Sequence, residues 1–276
     1  MMATLPDPLA AATPLTPARL AHISNKLNLR SMPSLMGTRL ARLEPGQALL
    51  VDQVLEGEAF LGRTQWFRVA NQQQYFWAGG ARLDEAPVAT PQPAAGERTP
   101  DVRRRSNGSI LPLAQADLAG VFGAFQSQPG AKRGAVVIST PGWVQQHIVA
   151  LQHPLLEALG QGSVAVHRLA LPHFQAVFDT IAQSGLADLL LTFDGSFVPR
   201  HKNWDPNNPE LSSHSWGVAI DINARWNPAG QAPALPGRQG FLGDLVPLFN
   251  AQGFAWGGHF INNPDGMHFE LARRDP

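Results

Sequence analysis

Two short stretches in the last third of the chain carry side chains able to hold a metal ion. The first is Ser212-Ser213-His214-Ser215-Trp216-Gly217-Val218-Ala219-Ile220-Asp221. His214 precedes a flexible point at Gly217, and Asp221 falls on the apolar strand that follows. A strand alternates its faces, so Ala219, Asp221 and Asn223 point one way and Val218, Ile220 and Ile222 the other. A carboxylate fixed among apolar neighbours needs a partner, and a cation is one way to supply it. The second stretch is Pro264-Asp265-Gly266-Met267-His268-Phe269-Glu270, where His268 and Glu270 share a strand face. His214, Asp221 and His268 together offer two imidazoles and one carboxylate. That set gives a zinc ion three ligands and leaves a fourth position for water, the composition of a hydrolytic site.

The elements that must position these residues follow from the pattern upstream. The chain has 276 residues, 44% hydrophobic and 15% charged, with 21 basic and 21 acidic side chains. Such a composition is globular, and the charge balance leaves no electrostatic footprint for nucleic acid. Cysteine is absent, so a metal must be held by His, Asp or Glu rather than thiolate. No stretch approaches the roughly 20 apolar residues of a membrane helix. Met1 to Ala21 has neither a basic start nor an apolar run, so it does not read as a secretory signal.

Residues 1–23, rich in Ala, Pro and Thr, read as a loose tail. Over 24–85, short apolar runs alternate with turn signals: Leu27 to Arg30, Ala48 to Val54, Trp66 to Ala70 and Gln74 to Ala78 read as strands, with turns at Pro45-Gly46 and Asn71. Short strands at that density suggest a small all-β barrel. Residues 86–108 have several prolines and no apolar period, so they read as a linker, with Arg103-Arg104-Arg105 as a solvated run. From 109 to 276 helix and strand signals alternate. Leu171, Phe174, Val177, Phe178 and Ile181 mark a helix stopped by Gly185; Phe241 to Gln252 marks a second, ended by Gly253. Ala187 to Phe193, Val218 to Ile222 and Met267 to Leu271 read as strands. The fold class expected is α+β.

The segment 24–85 resembles a bacterial SH3-like domain through Leu27-Asn28-Leu29-Arg30-Ser31-x-Pro33-Ser34, Leu43-x-Pro45-Gly46, Trp66-x-x-Val69 and Phe76-Trp77-Ala78-Gly79. Glu56 to Thr64 departs from it as an insertion. Trp66, Tyr75 and Trp77 serve either the core of such a barrel or a ligand surface.

Over about residues 130–276 the chain resembles VanY-like D-alanyl-D-alanine carboxypeptidases and the related L-alanyl-D-glutamate peptidases of phage endolysins. Ser-x-His-x-x-Gly-x-Ala-x-Asp is met at Ser212, His214, Gly217, Ala219 and Asp221. Trp256-Gly257-Gly258 followed by His268-Phe269-Glu270 meets the closing pattern, and Gly195-Ser196-Phe197-Val198-Pro199-Arg200 an upstream one. The resemblance implies a Hedgehog/DD-peptidase-like domain over 109–276, with one Zn2+ on His214, Asp221 and His268. It further implies Asp265 as the base taking a proton from the attacking water, and Arg200 as the group that binds a substrate carboxylate or polarises the scissile carbonyl. Ser212 and Glu270 would bond substrate or orient a ligand, and Trp256 and His259 would line or support the cleft. Asp265 as a turn cap, Arg200 as a surface ion-pair residue, and Ser212 and Glu270 as structural groups are the alternatives. His22, His147, His153, His167, His173 and His201 have no ligand-like surroundings in sequence.

The activity so implied is hydrolysis of an amide bond in a peptidoglycan stem peptide, at the D-Ala-D-Ala or the L-Ala-D-Glu bond. It would act on the cell wall or in the periplasm, reached by phage lysis or a specialised secretion route. The SH3-like domain would supply a cell-wall or protein contact. A catalytically silent wall-binding adaptor is the alternative function.

Overall fold

A computed structural model describes residues 12–70, 72–84 and 100–276. They fall into two compact units: residues 12–84 with Ala234–Pro247, and residues 100–233 with Leu248–Pro276. Both helices and strands are present, and the larger sheets are antiparallel.

The first unit contains strands β1 (Thr13–Ile23), β2 (Leu27–Arg30), β3 (Arg39–Leu43), β4 (Ala48–Phe60), β5 (Arg63–Val69), β6 (Tyr75–Trp77) and β7 (Ala81–Leu83). They form one antiparallel sheet in the order β3-β2-β6-β5-β4-β1-β7. Alternate residues of non-neighbouring strands, such as Leu29, Leu43, Leu49, Val51, Val69 and Phe76, meet in one buried cluster, so the sheet curls over its apolar face. Residues 13–23, expected in a loose tail, form β1, which lies between β4 and β7. Its inward residues Ala21 and Ile23 are two apart, a strand period disguised by a small side chain. Residues 1–11, the turn expected at Asn71 and residues 85–99 lie outside the described residues. The insertion Glu56 to Thr64 is the extended end of the β4–β5 hairpin, turning at Leu61-Gly62. Trp66 is fully buried with Leu55 and Tyr75, which gives these two aromatics a core role, while Trp77 is partly buried.

The segment Ala234–Pro247 completes this unit. Phe241 enters the same apolar cluster, and the buried Asp244 carboxylate accepts the Leu50 N–H at 3.1 Å. The helix expected over Phe241 to Gln252 is shorter as a result, running only Val246–Ala251. Pro247 is tolerated only in a first turn, so the helix starts beside it. Phe241 is thus a core residue of this first unit rather than part of that helix.

The second unit runs α1 (Gln115–Phe122), β8 (Ser127–Pro129), β9 (Val136–Ile138), α2 (Trp143–His147), β10 (Ile148–Leu151), α3 (Pro154–Ala158) and β11 (Val164–His167). Then come α4 (Leu171–Gln183), β12 (Phe193–Gly195), β13 (Ala219–Ile222), α5 (Val246–Ala251, whose first two residues are counted with the first unit), β14 (Phe254–Trp256) and β15 (His268–Leu271). Pro172 lies in the first turn of α4, and Phe174, Val177, Phe178 and Ile181 form its buried stripe, as their 3.6-residue spacing predicts. The sheet that matters for chemistry is antiparallel in the order β12-β13-β15-β14.

Ala187 to Phe193 was expected to be a buried strand but is a 3-10 turn at Ala187–Leu189 leading into the short β12. Asn223 explains the difference. Its Oδ1 accepts the N–H groups of Leu191 and Thr192, and its Nδ2 donates to the Leu189 carbonyl. One buried amide thereby takes up the backbone groups that a neighbouring strand would have paired. Nor do residues 100–108 behave as linker. Arg104 pairs with Ile110 in a β-bridge, Arg103 donates to the Pro112 carbonyl, and Arg105 to the His259 carbonyl. Arginine satisfies backbone carbonyls here, a use that a basic run in sequence does not announce.

Candidate metal centre

The register of β13 against β15 sets the site. Asp221 lies directly opposite His268, and Ala219 opposite Glu270. Two-residue periodicity then puts Asp221, His268 and Glu270 on one face, with the small Ala219 leaving room beside Glu270. His214 arrives from a 3-10 turn, Ser213–Trp216, that leads into β13. Gly217 ends this turn at φ 69°, and a Cβ there would sit 2.9 Å from the backbone N of His167. Only glycine meets both conditions.

Three ligand atoms converge: His214 Nε2, Asp221 Oδ1 and His268 Nδ1. The separations are 3.2 Å between His214 and Asp221, 3.2 Å between His214 and His268, and 3.0 Å between His268 and Asp221. Ligand atoms about 2.0–2.1 Å from one tetrahedral ion lie ~3.3–3.4 Å apart, so the triangle has the dimensions of one face of such a site.

The outer nitrogens decide the chemistry. His214 Nδ1 donates to the Ser196 carbonyl at 2.6 Å. A carbonyl only accepts, so the proton sits on Nδ1 and a neutral His214 presents a lone pair at Nε2. His268 Nε2 faces Glu270 Oε2 at 3.2 Å and Ser213 Oγ at 3.3 Å, which orients Nδ1 inward. The residues therefore fit a metal: in their neutral tautomers all three inner atoms are acceptors, and acceptors packed this closely call for a cation. A proton on His268 Nδ1 is the alternative to a metal cation: burial by itself would lower the imidazole, but hydrogen bonds to Asp221 and Glu270 then outweigh it and hold the group at about 10. Burial would likewise raise Asp221, yet His214 and His268 keep it well below the usual carboxylate range. Glu270 is also held low, its burial offset by His268, Ser213 and Lys202. Among the described residues this triad is the one group of three or more His, Asp or Glu side chains with metal-site spacing.

A cavity of about 450 Å³ opens beside the triad, with Arg200, Ser212, Ser213, Asp265, His268 and Glu270 in its wall. Asp265 is carried by a turn closed by its own N–H to the Gly257 carbonyl and by the His268 N–H to the Asp265 carbonyl. Its Oδ1 is buried with no hydrogen-bond partner, so this oxygen does not cap the turn. Burial raises the Asp265 carboxyl, opposed by the nearby His268, His214 and Arg200. The backbone of Arg200 is pinned to the ligand-bearing turn: Ser212 N–H donates to its carbonyl at 2.9 Å, and its own N–H donates to Ser215 Oγ at 3.0 Å. Burial lowers the Arg200 guanidinium, while Asp221 and Asp265 act to raise it.

Two sequence candidates stand back from the cavity. Trp256 is buried and donates Nε1 to the Gly266 carbonyl at 2.8 Å, bracing the turn that presents Asp265. His259 packs edge-on against Trp256, with ring centroids 4.9 Å apart. Four cavity or supporting groups have no signal in the motifs: Ser213, Arg105, Lys202 and the Ser196 carbonyl. Ser213 sits one residue before a ligand and could have been sought there; a backbone carbonyl leaves no trace in residue type.

A family model described as D-alanyl-D-alanine carboxypeptidase matches residues 206–271. No curated protein and no solved structure matches. The matched segment includes all three ligand candidates, Asp265 and Glu270, and stops short of Arg200 and of β1–β7. Over that segment the chain is similar to D-alanyl-D-alanine carboxypeptidases, which, with a triad that fits a metal, supports a peptidase.

Proposed function

We propose that the chain is a zinc-dependent peptidase that hydrolyses an amide bond in peptidoglycan stem peptides. The observation that carries this reading is the triangle of inward lone pairs on His214, Asp221 and His268, locked from outside by Ser196 and Glu270 and opening on a cavity with a carboxylate and a guanidinium. A bound Zn2+ supplies Lewis acidity and lowers the pKa of water. Asp265 accepts the proton of the attacking water through its unpartnered Oδ1 and returns it to the leaving amine. Arg200 meets the negative charge that develops on the scissile carbonyl, or the substrate carboxylate. Ser212 lines the same wall and bonds the substrate. Glu270 holds the His268 ring and its tautomer, and Trp256 with His259 steadies the Asp265 turn.

In this reading residues 109–276 are a Hedgehog/DD-peptidase-like domain, supported by the β12-β13-β15-β14 sheet that carries the ligands. Residues 24–85 are a bacterial SH3-like barrel that holds the enzyme on the wall and raises local substrate concentration, supported by the curled sheet, six of whose seven strands, β2 to β7, lie in that segment. The place of action is the cell wall or periplasm.

The test is digestion of purified sacculi with and without chelator, the products identified by mass spectrometry. Free D-alanine identifies a carboxypeptidase; new N-terminal D-glutamyl fragments identify an endopeptidase cutting after L-alanine. Chelation should abolish product and Zn2+ restore it. Undiminished turnover after complete chelation would sink the metal assignment.

A further inference from the structure

A second cavity, about 490 Å³, lies beside the first and is walled by Lys132, Arg133, Asn203, Trp204 and Asp205. Asn203 lines both cavities, so the two are neighbours across one residue. Trp204 faces the second, and the Arg200 guanidinium of the first lies over its indole, 5.2 Å from the ring centroid.

The backbone here is built for close approach. Arg200 pairs with Ala135 in a β-bridge, His201 N–H donates to the Gly134 carbonyl at 2.8 Å, and Val136 N–H to the Pro199 carbonyl at 3.1 Å. A Cβ on Gly134 would sit 2.2 Å from the Trp204 carbonyl oxygen, so only glycine lets the turn at 132–134 touch the turn at 202–204. Asn203 and Trp204 both hold φ 56°, and left-handed backbone in a residue as bulky as Trp is an outlier that surrounding structure must enforce. The outcome is a half-exposed indole, 42% accessible, set beside two exposed cations. Neither Lys132 nor Arg133 has an ion pair among the described residues. The neighbouring cation Lys202, by contrast, is neutralised by Glu210.

Lys132 and Arg133 outnumber the one carboxylate in this wall, Asp205, whose Oδ1 already accepts the Asn207 N–H, and two cations beside an indole face suit a carboxylate attached to a flat or aliphatic body. Arg200 places a further cation in the wall of the metal-side cavity, so one extended anionic substrate would meet both. We infer that this cavity is a substrate subsite in which Lys132 and Arg133 bind a carboxylate of the peptide flanking the cleaved bond, with Trp204 packing against the chain that bears it. This rests on the peptidase reading above.

The test uses the full chain loaded with Zn2+ and two peptides. One is L-alanyl-γ-D-glutamyl-L-lysyl-D-alanyl-D-alanine; the other differs only in having the D-glutamyl α-carboxylate as its carboxamide. Equilibrium binding and hydrolysis are measured for both, with the wild type and with Lys132→Gln/Arg133→Gln. Both substituted side chains are exposed, so the core is untouched. The acid should bind about tenfold tighter than the amide, and the double variant should erase that ratio, with the change carried in KM rather than kcat. Cleavage of both peptides with no acid preference overturns the subsite and leaves the peptidase reading standing. Acid-selective binding that the double variant abolishes, without cleavage of either peptide, upholds the subsite and counts against the peptidase reading. An acid preference unaltered in the double variant assigns the carboxylate elsewhere and overturns the proposal. No binding and no cleavage of either peptide overturns both.

Discussion

Asp244 sits 3% exposed in the first unit, and its charge state sets a pH dependence that Asp244→Asn should reverse. Burial pushes its carboxyl from 3.8 up to about 7, while the single N–H of Leu50 pulls the other way. A carboxyl raised on folding favours the folded state most below its unfolded value. That advantage drains away as pH rises from about 3.8 and is gone above about 7. Over that interval the loss amounts to about 4 kcal/mol. Asparagine keeps an oxygen for Leu50 and carries no charge to desolvate. It adds N–H groups that need partners, at a cost of about 1–3 kcal/mol. The variant should therefore be less stable than wild type at pH 4, where little of that advantage has drained away, and more stable, by about 1–3 kcal/mol, at pH 8. Urea unfolding at both pH values, read by hydrogen-exchange protection of β4 peptides, assigns the effect to the first unit. All other ionisable side chains are common to both proteins, so their contributions cancel in the difference. A gap between variant and wild type that is the same at pH 4 and pH 8 would refute the reasoning, because it would mean that Asp244 does not change charge in that range.

Two further expectations follow from the proposed zinc peptidase, with Asp265 as its base. Asp265→Asn should bind Zn2+ as wild type does but lose about 10²–10⁴-fold in kcat, since the base is removed and no ligand is; metal content and turnover measured on one preparation check this, and an active variant places the base elsewhere. Glu270→Gln should weaken Zn2+ affinity about 10–100-fold, because the carboxylate that orients His268 Nε2 becomes an amide; competition with a chromogenic chelator reads it, and unchanged affinity would leave Ser213 as the group that orients His268.

Much of the site is legible because strand periodicity is a local rule. Two-residue alternation places Asp221 on the opposite face from Ile220 and Ile222, and His268 on the same face as Glu270, before any contact is known. Helix α4 was legible for the same reason, its apolar stripe being long and regular. β1 was not, because Ala21 hides a core position behind a small side chain. Phe241 to Leu245 misled for the opposite reason: an apolar run reads as helix whichever core takes it up, and here the first unit does. The segment Ala187 to Phe193 failed because its backbone partner is the Asn223 side chain, a long-range bond without a local pattern.

The sequence by itself determined which side chains could bind a cation and on which strand faces Asp221 and His268 stand, since residue chemistry and strand period are both written locally. Tertiary structure alone decided that His214 presents Nε2, because a carbonyl at Ser196 takes Nδ1, and that His268 presents Nδ1, because Glu270 faces Nε2. It also brought Arg105 into the wall of the metal-side cavity, placed Lys132 and Arg133 beside Trp204, and sent Ala234–Pro247 to finish another unit's core. Each of those outcomes depends on a backbone group or a surface supplied by distant chain, and the identity of a residue carries no record of which distant group will meet it.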